Sequence, residues 1–495
     1  MGVTTYRYQS RSLMQLISGF CLSVMIALTG AAGSTMASEI KLPMLGDATS
    51  GIVSHQQEYE LGRAWLQMFR SRVPTLDDPQ LKAYLEQLTF RLATHSELSD
   101  RRLELIVINN PSMNAFAVPG GVVGAHTGLF MYAQSEHQLA SVLAHELAHL
   151  SQRHFARRLA NQKANSVTSM AGLLAGLILA ATVGGDAGMA AMTASQAAAM
   201  DQSLRFSRQN EQEADRIGMD TLHKSGMDPN GVALMFDRML AATRYTGHQP
   251  PEFLLTHPLT ESRIADARNR VRKYPANQYS DNIEYHLMRA RAMLAIDNNP
   301  QRTLKRFQSE LEGHSSSPNA ARYGQVLALT AQGDYEQARA TLAPLLAEEP
   351  GRLTYQLAAA TIDRSTGNHT EALKRLDELR RDYPDNYPVQ AELAETHLNA
   401  NRYHDAEQVL EKLARARPTD PHIWYQLAET SGLAGDIAGV HMARAEYFIL
   451  TGVYDRARQQ LGYAGKLVAQ DFKRSAIISQ RLRDIDAMEK DARTL

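Results

Sequence analysis

His145-Glu146-Leu147-Ala148-His149 places two imidazoles four residues apart inside an apolar run with helical character. On a helix, positions i and i+4 share a face, so both rings can meet one metal ion. Glu146 projects beside them, placed to take a proton from a metal-activated water. Those three side chains are the minimal kit of a zinc hydrolase.

Two imidazoles do not hold a catalytic zinc; a third protein ligand is needed, with one position left open. The candidate third ligand is Glu211, which lies in Ser207-Arg208-Gln209-Asn210-Glu211-Gln212-Glu213-Ala214-Asp215. Asp215 sits one helical turn beyond it on the same face. From there it can accept the free N–H of a ligand histidine and fix its tautomer. Glu213 points elsewhere on that helix and ranks well below Glu211. A further segment, His257-Pro258-x-x-x-x-Arg263-Ile264, follows Pro250-Pro251. Two roles are open to His257. It can donate to the oxyanion of a tetrahedral intermediate, or it can be a fourth metal ligand that keeps the centre latent. Arg263 either orients a carboxylate near the site or binds substrate. His154, His126 and His137 are expected to be structural or exposed, with His154 facing away from the His145–His149 pair.

These residues need elements to position them. Tyr59, Leu61, Trp65 and Met68, then Leu81, Leu85 and Leu88, repeat with helical spacing. Leu103 to Ile108 reads as a strand. Asn114-Ala115-Phe116-Ala117-Val118-Pro119-Gly120-Gly121 and the run after it suggest a turn joining edge strands. Ser135 is the expected N-cap of a long helix running through about Arg158, which carries the histidine pair.

From about residue 284 the chain turns helical and repeats. Pro350, Pro384 and Pro418 are spaced by 34 residues, as are Ala338, Ala372 and Ala406, and Leu342, Leu376 and Leu410. Gly333, Gly367, Asn401 and Gly435 keep the same step. Four columns in register are the tetratricopeptide signature, a solenoid whose concave face takes extended peptides or partner proteins. Residues 284 to 318 read as a degenerate opening repeat with Ala292 in the small-residue column. The charged end, Ser475 to Leu495, reads as a capping helix.

Composition narrows the setting. With 52 basic against 53 acidic residues and a net charge of −1, no basic block marks a nucleic-acid partner. Arg7 and Arg11, an uncharged apolar stretch from Leu13 to Thr29 and the small-residue site Thr35-Met36-Ala37 read as a secretory signal peptide. The single cysteine, Cys21, lies inside it, so the mature chain would carry no disulfide and depend on packing. A second uncharged stretch, Ala164 to Gly185, is long enough for a membrane span. A single span there would put Glu211 across the membrane from His145 and His149. A mobile lid or plug with peripheral membrane contact is the expectation instead.

Taken together, His145-Glu146-x-x-His149, Ser207-Arg208-x-x-Glu211-x-x-Ala214-Asp215 and Asn114-Ala115-Phe116-Ala117-x-Pro119-Gly120-Gly121 resemble the zinc metallopeptidases of the HtpX and CAAX prenyl endopeptidase type. The resemblance implies one Zn2+ per subunit on His145, His149 and Glu211, with Glu146 as general base. It implies that Asn114, Ala115, Phe116 and Ala117 form an edge that holds substrate backbone by strand addition. With the leader and the repeats, it further implies a protein of the Gram-negative periplasm. Its expected partners are the outer-membrane β-barrel assembly machinery and unfolded β-barrel proteins, including the lipopolysaccharide-transport barrel. The expected architecture is mainly α. A signal peptide (1–37) precedes an α+β zincin-type metallopeptidase domain with a small sheet (38–275), and an all-α tetratricopeptide solenoid follows (284–495). A second reading of the same residues is a chaperone-like binding scaffold whose peptidase centre is largely latent.

Overall fold

The computed structural model describes residues 53–161, 208–245, 251–275, 277–313, 315 and 317–494. The leader, Ser207 and the apolar stretch 164–200 lie outside the described residues. Among those described, no helix is long and apolar enough to cross a membrane.

The N-terminal part opens with two helices, α1 (His55–Arg70) and α2 (Pro79–His95). Ser54 and Gln57 close a capping box on α1, and Asp78 caps α2 ahead of a proline in its first turn. A three-stranded sheet follows: β1 (Glu104–Ile108), β2 (Ala115–Val118) and β3 (Val122–His126), in the order β1-β3-β2. β1 runs parallel to β3, and β2 runs antiparallel to it with Phe116 opposite Gly124. The β2–β3 turn needs glycine, since Gly120 and Gly121 adopt φ of 81° and 80°. Both faces of the sheet are covered. Phe116 packs with Trp65 and Phe69 of α1 on one side, while Ala115 and Val123 join the core under the catalytic-motif helix on the other.

After the short α3 (Leu129–Tyr132) comes α4 (Glu136–Ser151), capped by Ser135, whose Oγ accepts from the Gln138 amide. Every residue from Gln138 to His149 is buried, so α4 is the central rod of this half. The helix expected to continue through Arg158 does not. It ends at Ser151, Arg153 takes a left-handed φ of 51°, and α5 (His154–Asn161) starts in a new direction. Next come α6 (Arg208–Lys224), α7 (Asn230–Tyr245), the one-turn α8 (Glu252–Thr256) and α9 (Glu261–Val271). Gly218 of α6 lets that helix lie close on α4, since a Cβ there would stand 3.3 Å from the His145 amide.

The C-terminal part is a run of paired helices. α10 (Ile283–Ile296) and α11 (Pro300–Glu312) form the opening pair, with Ala292 fully buried. Regular pairs follow: α12 (Pro318–Gln332) with α13 (Tyr335–Glu348), α14 (Leu353–Ser365) with α15 (His369–Asp382), and α16 (Tyr387–Asn399) with α17 (Tyr403–Ala416). α18 (Pro421–Ala434), α19 (Ile437–Leu450), α20 (Tyr454–Leu467) and the long α21 (Phe472–Thr494) complete the array.

The sequence columns now have physical meanings. Ala338, Ala372 and Ala406 are fully buried, and Leu342, Leu376 and Leu410 are buried in the apolar cores of the array. Gly333, Gly367, Asn401 and Gly435 all have positive φ (80°, 77°, 57° and 84°), ending the first helix of each pair in a left-handed residue.

The described residues form one compact unit, with the repeats lying against the N-terminal helices. Lys82 Nζ of α2 meets buried Asp420 at 2.6 Å, and Arg417 reaches Glu86 at 2.5 Å. Arg291 of α10 pairs with Asp78, the cap of α2, at 2.8 Å.

Candidate metal centre

Four segments converge on one buried point. α4 contributes His145, Glu146 and His149, and α6 contributes Glu211 and Asp215. His257 comes from the end of α8 and Arg263 from the first turn of α9. One donor atom from each of His145, His149, Glu211 and His257 lies within 4.8 Å of the others. His145 Nε2 and His149 Nε2 are 3.0 Å apart, 3.4 Å and 3.5 Å from the Glu211 carboxylate oxygens. His257 Nδ1 stands 3.1 Å from Glu211 Oε1 and 3.3 Å from His145 Nε2. Three imidazole nitrogens and a carboxylate, all facing inward, fit a divalent metal of the zinc type.

The surrounding groups explain how such a charged cluster sits in the interior. His145 Nδ1 donates to Asp215 Oδ1 at 3.0 Å. Asp215 is held in turn by a two-point contact from Arg263, Nε to Oδ2 at 2.7 Å and Nη2 to Oδ1 at 2.8 Å. Arg263 also reaches Glu211 Oε2 at 2.9 Å. It therefore orients the Glu211 and Asp215 carboxylates from behind and is not among the residues lining the cleft. Burial works against every one of these charges. Burial pulls the His145 imidazole down, yet its bonds to Asp215 and Glu211 win and hold its pKa up at about 9. Burial would raise Glu211, but His257, His145 and His149 hold its carboxyl well below the ordinary range. His149, buried and beside His145, is pushed down instead. A metal ion bound among these groups would compete with protons for the same donor atoms.

Glu146 lies at the open side. Burial raises its pKa, against the pull of His257 and His145. Its carboxylate accepts the Ala117 backbone N–H and comes within 3.4 Å of His257 Nε2. That contact ties the motif helix to β2. Asn114 O accepts from the His126 amide at 3.1 Å, so alternation along the antiparallel ladder turns Phe116 toward β3. Of the two residues turned the other way, Ala115 is fully buried and Ala117 lies at the cleft, where Glu146 accepts its amide. That cleft of about 80 Å³ is lined by Phe116, Ala117, Gly120, Glu146, His149 and His257.

Two features were not legible in the sequence. His154 does not face away: its Nδ1 lies 2.8 Å from His149 Nδ1, and its Nε2 lies 3.0 Å from Glu213. On one continuous helix, five residues would rotate it off the His149 face. The left-handed Arg153 breaks the helix and swings it back. Phe253 stacks on the His257 ring with centroids 4.6 Å apart, a contact that depends on α8. His126, buried at the end of β3, bonds Ser112 and takes no part in the cluster.

Comparison with known proteins places this geometry. Residues 79–271 match the model of peptidase family M48, and residues 323–387 and 364–429 match tetratricopeptide repeat models. The chain is 34% identical over 428 residues to the β-barrel assembly-enhancing protease of Escherichia coli K12, covering 86% of this chain and 87% of that one. The chain belongs to peptidase family M48, in the group of the β-barrel assembly-enhancing proteases. The Yersinia pestis protein of the same name is 32% identical over 89% of this chain and 91% of its own. A mitochondrial metalloendopeptidase, OMA1 of Schizosaccharomyces pombe, is 34% identical over 37% of this chain and 50% of its own. Membership in M48 makes this chain a metallopeptidase with tetratricopeptide repeats. The cluster of His145, His149, Glu211 and His257 fits the metal that such a family requires.

Proposed function

We propose that the chain is a zinc endopeptidase and chaperone-like factor of the Gram-negative periplasm, resting in a state in which His257 fills the fourth donor position. The convergence of four inward-facing donors within 4.8 Å, with Glu146 beside them, carries this reading. His145, His149 and Glu211 would hold the ion. A zinc held there supplies Lewis acidity, acidifying water and polarising a peptide carbonyl.

The chain's own groups do the rest. Glu146, with its proton affinity raised by burial, takes the proton of the attacking water and passes it to the leaving amine. The β2 edge, which reaches the cleft at Ala117, pairs with an extended substrate backbone once Glu146 releases that amide, while Asn114 and Phe116 hold β2 to β3. His257 must leave its position among the donors before water and substrate can share the centre. Of its two expected roles, the observed geometry favours the fourth ligand over the oxyanion donor. The leader-like N-terminal sequence supports the periplasmic location, and the relatives' names, which speak of β-barrel assembly, support outer-membrane β-barrel proteins as the proposed clients. The repeat array would dock to their assembly machinery and present stalled chains, the lipopolysaccharide-transport barrel among them.

The same His257 contacts favour a second reading, a binding scaffold with a largely latent peptidase centre. One experiment separates the two. Cleavage of an unfolded outer-membrane barrel is followed with wild type, His257→Ala and Glu146→Gln, each with zinc content measured. A gain in His257→Ala that disappears when Glu146→Gln is added supports the latent endopeptidase. Full barrel assembly by Glu146→Gln in a deletion strain supports the scaffold.

A further inference from the structure

The break at Arg153 gives His149 a partner that the family motif does not include. We propose that His154 and Glu213 are positioning residues for the metal centre, holding His149 in the one tautomer and ring orientation that turn its Nε2 lone pair toward Glu211 and His145. The inference rests on the metal-centre reading above.

His149 Nε2 is the nitrogen that faces the cluster, 3.5 Å from Glu211 and 3.0 Å from His145 Nε2. As a ligand it must be unprotonated there, so its proton sits on Nδ1. That N–H points at His154 Nδ1, 2.8 Å away, which must then accept. His154 carries its own proton on Nε2 and donates it to Glu213 Oε2 at 3.0 Å. The same oxygen receives Arg157 Nη1 at 2.8 Å. The chain of donors runs in one direction from the centre to a braced carboxylate.

The reverse arrangement is disfavoured by charge. A proton on His149 Nε2 would force the His154 proton onto Nδ1, leaving the His154 Nε2 lone pair against the Glu213 carboxylate. Glu213 thus selects the ligand tautomer through one intervening ring. The device matches the other side of the centre, where His145 Nδ1 donates to Asp215 and Arg263 braces that carboxylate. Each histidine of the motif, His145 and His149, therefore has a donor path to a carboxylate held by an arginine. His154 is 0% exposed, and the turn that delivers it is anchored by Arg153 on Glu58 at 3.1 Å. Glu213 lies at the rim, with its side chain 37% exposed.

The test is metal affinity, measured on the full chain by competition against a chromophoric chelator, with the visible spectrum of the Co2+-loaded protein as a second readout. Loss of a partner of this kind weakens metal binding by about ten- to a hundred-fold. That loss is expected for His154→Leu, with a changed Co2+ spectrum. His154→Asn keeps an acceptor for His149 and is expected to recover part of it. Glu213→Gln, at the rim, is expected to weaken binding several-fold. Thermal unfolding of the metal-free proteins controls for a merely structural role, which would move stability and leave affinity and spectrum alone. Binding by Glu213→Gln and by every folded His154 variant at wild-type affinity would overturn the proposal. Failure of wild type itself to bind a metal in a manner abolished by His145→Ala would overturn the metal-centre reading first, and this one with it.

Discussion

His145 Nδ1 and Asp215 Oδ1 are 3.0 Å apart, and this bond joins the motif helix α4 to the carboxylate helix α6 at the centre of the peptidase part. It sits one turn beyond Glu211, so a single helix face supplies a metal donor and the acceptor that orients another. Arg263 completes the arrangement by neutralising both carboxylates from behind.

Removing that cation should be costly. Arg263→Ala leaves two buried carboxylates without their only nearby arginine among the described residues, and breaking a buried pair in this way destabilises by about 3–5 kcal/mol. Urea unfolding should show this loss. Zinc affinity should fall as well, because Asp215 is no longer held against His145.

Glu146→Gln should keep both metal and fold, since the amide preserves the shape of the side chain. The proton-transfer role is lost, and general acid–base catalysis of this kind contributes about 10²- to 10⁴-fold. Proteolysis measured in the His257→Ala background should fall by that factor while zinc stoichiometry stays unchanged.

Acid should weaken the peptidase part through His126. Burial lowers its pKa from the ordinary value of 6.5 to about 4, so it is neutral when folded and takes up a proton on unfolding. The sign follows: its contribution is full above pH 6.5 and is lost as pH falls toward 4, reaching about 3 kcal/mol. Denaturant midpoints at pH 7 and pH 4.5 should differ more for wild type than for His126→Gln.

Asn401 offers a test in the repeats. It holds a φ of 57° at a position where the neighbouring repeats use glycine. Asn401→Ala should cost about 1–2 kcal/mol from the left-handed backbone alone, whereas Asn401→Gly should be near neutral. Thermal unfolding should place Asn401→Ala below wild type and Asn401→Gly close to it.

How much of this was legible in advance depends on the range of each interaction. The Ser135 cap, the helical spacing of His145 and His149, the Glu211–Asp215 turn and the Gly120–Gly121 hairpin are local geometries, written in residues a few positions apart. The 34-residue columns were legible for a similar reason, since each repeat contacts mainly its neighbours and the same packing need recurs in the same place. The repeats also announced where helices end, because a left-handed cap selects glycine or asparagine whatever surrounds it.

The contacts that complete the centre have no such local signature. Arg153 is an ordinary helix former, and its buried contacts with Glu58 on α1 and with Val53 O accompany the left-handed conformation that turns His154 back to His149. The placing of His257 depends on α8, which is tied to the segment before β2 by the Phe253 amide bonding Met113 O at 3.1 Å. Arg263 could be named but not assigned until α9 packed behind α6. The sequence alone determined the chemistry on offer: two imidazoles and two carboxylates at helical spacing, and a repeat array with a fixed period. The tertiary structure decided what faces what, because burial forces each charge to find a partner and those partners lie on helices far apart in the chain.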